Sequence, residues 1–144
     1  MDYVEAIGRR RESTARVRLY YLIGKKETTV HGVMLRKGLS MVNGKSADDY
    51  FKNKLWLLRF YAPLMLTGTK DTGAISVKVE GGGQIGQLEA CIHGISRVLD
   101  KVDKGKYHDT LRKHNLLTRD PRAKERRKAG FAQKARARKQ SPKR

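Results

Sequence analysis

From Arg119 to Arg144 the chain carries twelve Lys or Arg residues against only Asp120 and Glu125, with almost nothing apolar, so these 26 residues cannot build a core. A segment of this kind gains too little burial to offset the entropy of ordering, and in isolation it is expected to be disordered and extended. Any fold must come from the residues before it. Two parts follow: a globular domain over 1–118 and a basic extended C-terminal tail over 119–144. The tail's balance of +10 is about half of the chain's net +19. A phosphodiester backbone is the anion that best rewards a long Arg-rich strand, because each phosphate neutralised releases condensed counterions.

The residues ahead of the tail are the usual size of one small domain, and 38% hydrophobic content supports a modest core. A cationic protein of the membrane surface would show an amphipathic helix with aromatic anchors, and the tail has only Phe131. No apolar stretch approaches the roughly 18 residues of a membrane span, and Met1 to Glu5 lacks the order of a signal peptide. A cytoplasmic or organellar protein is expected. Cys91 is the only cysteine, which excludes an internal disulfide and a multi-thiolate zinc site. It falls on a helical apolar pattern, as a buried, inert thiol would. His31, His93, His108 and His114 show no metal-ligand spacing. An acid and base pair of His108 with His114 would suit an enzyme acting on RNA, but surface histidines are the simpler reading. Neither a metal, a cofactor nor enzymatic turnover is expected.

Along the domain, Ala15 to Tyr20 alternates, with Ala15, Val17 and Leu19 to one side and Arg16, Arg18 and Tyr20 to the other. One face can bury while the other meets solvent or phosphate. Tyr3 to Gly8 is a weaker strand, and Gly8 to Ser13 reads as a basic turn between the two. Leu39 to Val42 makes a short strand ending in the tight-turn pair Asn43-Gly44. Ser46 with Asp49 resembles a helix cap, Leu55 to Tyr61 is a helical apolar run, and Pro63 is expected to close it. The acidic pair Asp48-Asp49 is better explained as helix-start chemistry than as a hydrolytic metal site. Ala74 to Glu80 alternates with Ile75, Val77 and Val79 inward. After Gly81-Gly82-Gly83, the residues Ile85, Leu88, Ile92, Ile95, Leu99 and Val102 recur at helical spacing. A shorter helix over Lys106 to His114 and an apolar anchor at Leu116-Leu117 complete the domain.

Gly81-Gly82-Gly83-Gln84-Ile85-Gly86 satisfies the dinucleotide pattern G-x-G-x-x-G between a strand and a helix. The acid that should end a second parallel strand is missing, since Asp100 and Asp103 fall within or at the end of the same helix, and the chain is too short for a second mononucleotide half. Two readings stay open for Gly81, Gly82, Gly83, Gln84 and Gly86: a structural turn, or an anion site for a nucleic-acid phosphate.

Positive charge also occurs in the body, at Arg9-Arg10-Arg11 with Arg16 and Arg18, at Lys25-Lys26 and at Arg36-Lys37. Dispersed cations with few aromatics near the tail favour phosphate tracking over base stacking. The candidate RNA-binding residues are Arg9, Arg10, Arg11, Arg16 and Arg18, then Arg119, Arg122, Arg126, Arg127, Lys128, Lys134, Arg136, Arg138 and Lys139. A free, histone-like compactor of nucleic acid would need only this charge pattern and is the alternative.

The run Gly8 to Leu19 resembles the opening motif of the small-subunit ribosomal protein nine family. The similarity continues through Val42 to Lys45, Asp49-Tyr50-Phe51, Pro63-Leu64, Leu66 to Thr69, Val79 to Gly83 with Gly86-Gln87, His93 to Leu99, Leu117 to Arg122, Glu125 to Lys128 and the closing Lys143-Arg144. The resemblance implies an α+β domain with a mostly antiparallel sheet covered by helices on one face, like the second domain of ribosomal protein five, with a left-handed βαβ crossover. It implies binding to small-subunit ribosomal RNA in the head, beside neighbouring head proteins. It further implies that the tail reaches the decoding cleft, where Lys143 and Arg144 contact peptidyl-site transfer RNA. From Gly130 an extended tail covers roughly 45 to 50 Å, at about 3.3 Å per residue. Two features depart from the family pattern. Glu27 to Gly38 is longer than the usual connection, an extra hairpin against RNA being one guess at it. Gln140 to Arg144 lacks the usual aromatic and inserts Pro142, which removes an amide donor.

Overall fold

The computed structural model describes residues 3–21, 27–30 and 33–137. Strands β1 (Tyr3–Arg10) and β2 (Ser13–Tyr21) form an antiparallel hairpin. Its turn is only Arg11-Glu12, so the Gly8 to Ser13 stretch expected as a turn is mostly strand. Arg11 takes φ 51, a left-handed conformation that lets two residues reverse the chain. A second hairpin, β3 (Glu27–Val30) with β4 (Val33–Arg36), occupies the segment that exceeds the family pattern. Then come β5 (Ser40–Val42), β6 (Lys45–Ser46), α1 (Ala47–Tyr50), α2 (Lys54–Thr67), β7 (Gly73–Glu80), α3 (Gln84–Val102) and α4 (Lys104–Lys113). The main sheet has the order β1-β2-β7-β5-β6. Only β5 and β7 run parallel, and α1 and α2 connect them.

Local chemistry accounts for these boundaries. Asn43 and Gly44 both take positive φ, 49° and 79°, as a tight hairpin turn requires. The Asn43 amide then completes β7, donating to the Val79 carbonyl and accepting from its N–H, both at 2.9 Å. Ser46 Oγ caps α1 by accepting from Asp49 N–H at 3.0 Å. Asn53 caps α2 the same way. Pro63, expected to end the helix, lies inside it. Burial of Pro63 with Phe60 and Leu64 outweighs the one backbone bond its ring removes, and Gly68 in the left-handed region ends α2 instead.

One sheet face carries the core. Ala15, Val17, Leu19, Ile75, Val77 and Val79 meet Leu88, Cys91, Ile95, Val98 and Leu99 of α3. The approach is closest at Gly8, where a Cβ would lie 2.0 Å from the Ala90 carbonyl oxygen and 2.3 Å from the Gly94 nitrogen. Ile85, expected on the buried stripe of this helix, is exposed at 56% and borders an open groove at the start of α3. Tyr20, expected to point outward into solvent, is 4% exposed. It does point away from α3, but Leu35 of β4 covers it together with Ala74, forming a small second core. β1 is an edge strand, and its outward carbonyls at Glu5 and Ile7 accept from Lys101 Nζ and the Arg97 guanidinium. Leu116 and Leu117 pack partly buried against the core, and no helix or strand follows Lys113 among the described residues.

Candidate nucleic-acid interface

The sheet face opposite α3 is free of helices over most of its length. Strand alternation puts Ile7, Arg9, Thr14, Arg16, Lys78 and Glu80 there, all exposed. Register places Arg16 directly opposite Lys78, and Ile7 opposite Arg16. Two cations facing each other across adjacent strands repel, an effect that Glu80 offsets only in part and that a bound anion would offset further. Glu80 reaches Lys78 at 3.0 Å and Arg16 keeps an open side, within a shallow depression of about 300 Å³. Beside them, Arg18 is held by Glu5 at 2.6 Å and stacks 4.9 Å from the Tyr3 ring centroid. The hydrogen bond that Arg18 donates to Glu5 raises the Arg18 pKa above its ordinary value.

The glycine loop has a structural cause. Gly81 and Gly82 take φ 75 and 61, and a Cβ at Gly82 would lie 2.2 Å from Ser13 Oγ. Ser13 Oγ donates to the Gly81 carbonyl at 3.1 Å, and Gln87 Nε2 donates to the same oxygen at 3.1 Å. The glycines thus let the β1–β2 turn lie against the loop. Gly83 caps α3 without any side-chain bond, which leaves the positive end of a 19-residue helix open. It opens into a groove of about 690 Å³ bordered by Arg11, Trp56, Gly83, Gln84, Ile85 and Lys124.

Arg10 differs from its neighbours, being turned inward toward α3 and the tail. Its Nε lies 2.6 Å from Glu89 and its Nη1 2.9 Å from Asp120, with only 11% of the side chain exposed. His93 nearby is half-buried and accepts from the Arg9 N–H at 3.3 Å. Burial first, and then the charge of Arg97, push the His93 pKa below its ordinary value.

In the tail, Arg119, Arg126, Arg127, Lys128 and Lys134 are exposed. Arg122 grips Asp120 at 2.6 Å and Arg136 grips Glu125 with its Nε at 2.9 Å. Lys128 N–H donates to the Lys134 carbonyl at 3.1 Å, so the stretch between them forms a loop, with Ala132 and Gln133 at positive φ. Arg138, Lys139, Lys143 and Arg144 lie outside the described residues, as do His31, Lys25 and Lys26.

Sequence reasoning passed over Lys78, Lys124 and Trp56. Lys78 could have been found, since the alternation already pointed it outward beside the arginines. Lys124 and Trp56 could not, because distant segments bring them to one groove. His108 is engaged by Asp100 at 2.7 Å, a bond between α3 and α4. Burial pushes the Cys91 thiol up to about 12. Among the described residues no group of three or more His, Cys, Asp or Glu is placed to hold a metal ion, and no helix is long and apolar enough to cross a membrane.

The family model described as ribosomal protein S9/S16 matches residues 8–144. A relative from Thermotoga petrophila is 42% identical over 123 residues, covering 82% of this chain and 91% of its own length. Another from Maridesulfovibrio salexigens is 41% identical over 129 residues, covering 90% and 88%. A third, from Rickettsia canadensis, is 41% identical over 127 residues, covering 87% and 78%. Each of the three is named small ribosomal subunit protein uS9.

Proposed function

The chain belongs to the ribosomal protein S9/S16 family, a structural and non-enzymatic constituent of the small ribosomal subunit, and we propose that it holds head ribosomal RNA with its domain and peptidyl-site transfer RNA with its tail. The observation that carries the first half is the opposed pair Arg16 and Lys78 on a sheet face without helices. A phosphate bridging those cations removes their repulsion, and Arg9 and Arg11 extend the same charge toward the hairpin tip. The groove at the start of α3 offers backbone amides and Lys124 to a second phosphate, which is the anion reading of Gly81 to Gly86. Contacts of this kind fix position and carry no base sequence.

The second half rests on the tail's composition and reach. The domain ends and the tail begins near Arg119, and Arg126, Arg127 and Lys128 would track ribosomal RNA backbone on the way out. From Lys134 to Arg144 an extended strand spans roughly 33 Å at about 3.3 Å per residue. Opening the Lys128–Lys134 loop lengthens the arm and relieves the positive φ of Ala132 and Gln133. Arg144 then offers a planar donor fork to phosphate and Lys143 a point charge.

Deleting Lys143 and Arg144 is expected to weaken peptidyl-site transfer RNA binding by roughly five- to tenfold, the equivalent of losing about 1 to 1.4 kcal/mol of charge-assisted bonding. Subunit assembly should be unaffected. Filter binding of transfer RNA to reconstituted subunits measures this, and unchanged affinity across a salt series would remove the transfer RNA half of the proposal.

A further inference from the structure

Arg10 is one of the body's arginines, yet its guanidinium faces neither the open sheet side nor the groove. It joins three parts of the chain that are far apart in sequence. Nε is bound by Glu89 of α3, and Nη1 by the Asp120 carboxylate and the carbonyls of Asp120 and Arg122, at 3.3 and 3.1 Å. Asp120 in turn accepts the Arg122 backbone N–H at 2.9 Å and the Arg122 guanidinium on both carboxylate oxygens. Those bonds from Arg122 hold the Asp120 carboxyl well below the usual carboxylate range. A side chain this buried needs such pairing, because a shielded charge without partners is costly. Glu89 also pairs with Arg59 at 3.4 Å and Asp120 with Arg122, so the cluster stays net positive, but the donors on Nε and Nη1 of Arg10 are taken up inside it.

We infer that Arg10 is a positioning residue: it clamps the root of the tail against β1 and α3, and so sets the direction in which the basic arm leaves the domain. This rests on the proposed contact of the arm with transfer RNA. Leu116 and Leu117 already pack on the core, and the clamp carries the fixed portion on to Arg122. Beyond it the arm has 22 residues to reach its target. Released, the free arm starts after Leu117 and has 27. Length alone lowers the effective concentration at the target by only about 1.4-fold, since it scales roughly as the −3/2 power. Loss of direction is the larger effect, as re-fixing even one backbone residue on binding amounts to about fivefold.

The test uses the full chain. Spin labels on Lys45→Cys and Ala123→Cys, with Cys91 left in place because it is buried, report the spread of distances between the domain and the tail root. Arg10→Gln and Asp120→Asn should each broaden that distribution. They should also weaken peptidyl-site transfer RNA binding to reconstituted subunits by about three- to tenfold, and Arg10→Lys should recover part of both. Asp120→Asn lies outside the core, so it isolates the clamp from the stability of the sheet. A distribution that stays narrow in both variants would overturn the clamp. Broadening without loss of affinity, where deletion of Lys143 and Arg144 does lose affinity, would overturn its positioning role. If that deletion also leaves affinity unchanged, the transfer RNA contact itself fails and takes the positioning role with it, while the label distances still report whether the root is held.

Discussion

Gly94→Ala and Gly8→Ala are each expected to lower the stability of the domain by about 3 kcal/mol or more, near or above the upper end of ordinary overpacking. At Gly8 the added Cβ would lie 2.0 and 2.3 Å from backbone atoms of α3, and at Gly94 it would lie 2.6 Å from Val17 Cγ2 and 3.2 Å from the Gly8 nitrogen. The obstacle at Gly8 is backbone, and at Gly94 it is a short β-branched valine buried in the core; neither can swing clear as a long side chain can, so the β1–β2 hairpin and α3 must separate, opening the core around Val17 and Ile95. Against a total of about 5–15 kcal/mol, that is a large share. Gly105→Ala supplies the contrast. Its nearest neighbour is Asp103 Oδ1 at 3.7 Å, and a helical alanine there should be neutral or stabilising by up to about 1 kcal/mol. Urea unfolding of the three variants distinguishes them. Equal midpoints for Gly94→Ala and Gly105→Ala would contradict the close approach of strand to helix.

The affinity of the chain for small-subunit ribosomal RNA should collapse with salt. If the domain and arm together neutralise roughly six to ten phosphates, binding weakens about 10³- to 10⁵-fold between 50 and 200 mM monovalent salt. The arginines should not contribute alike. Arg16→Gln and Arg11→Gln are expected to reduce the magnitude of the log–log slope by about 1 each, because their side chains lie on the proposed contact surface. Arg18→Gln should reduce it less, since Glu5 already neutralises that guanidinium. Equal slopes for Arg16→Gln and Arg18→Gln would remove the open sheet face as the contact surface. Duplex DNA as competitor separates this from simple compaction by charge, which would show no preference for the ribosomal RNA.

Much of the architecture is legible from local periodicity. Ile75, Val77 and Val79 alternate inward as read, and Leu88, Ile95 and Leu99 bury along one helical stripe. Expectations failed where a distant segment decides. Tyr20 follows the strand period faithfully, but nothing near it in sequence announces that Leu35 will cover it. Pro63 carries a local helix-ending signal that burial beside Phe60 overrides. The tail root is the clearest case at the site. Arg10 sits in a run of arginines that looks uniformly destined for phosphate, and its partners Glu89 and Asp120 are 79 and 110 residues away. Composition identified the basic surface, whereas strand register sets Arg16 opposite Lys78 and Arg18 opposite Glu5, and tertiary packing sets Arg10 against Glu89 and Asp120. The glycine loop matched a nucleotide pattern because any tight strand-to-helix turn draws on the same glycines, and the atom nearest a Gly82 Cβ is Ser13 Oγ.

A crosslinking map of nucleotides against this polypeptide in assembled small subunits, with transfer RNA in the peptidyl site, goes furthest toward the central claim. Crosslinks should come from Arg16 and Lys78 to ribosomal RNA, from Arg126 to Lys128 to ribosomal RNA along the arm, and from the last residues to the anticodon stem of the transfer RNA. Crosslinks confined to the domain, with the whole arm from Arg126 onward silent toward both RNAs, would contradict it.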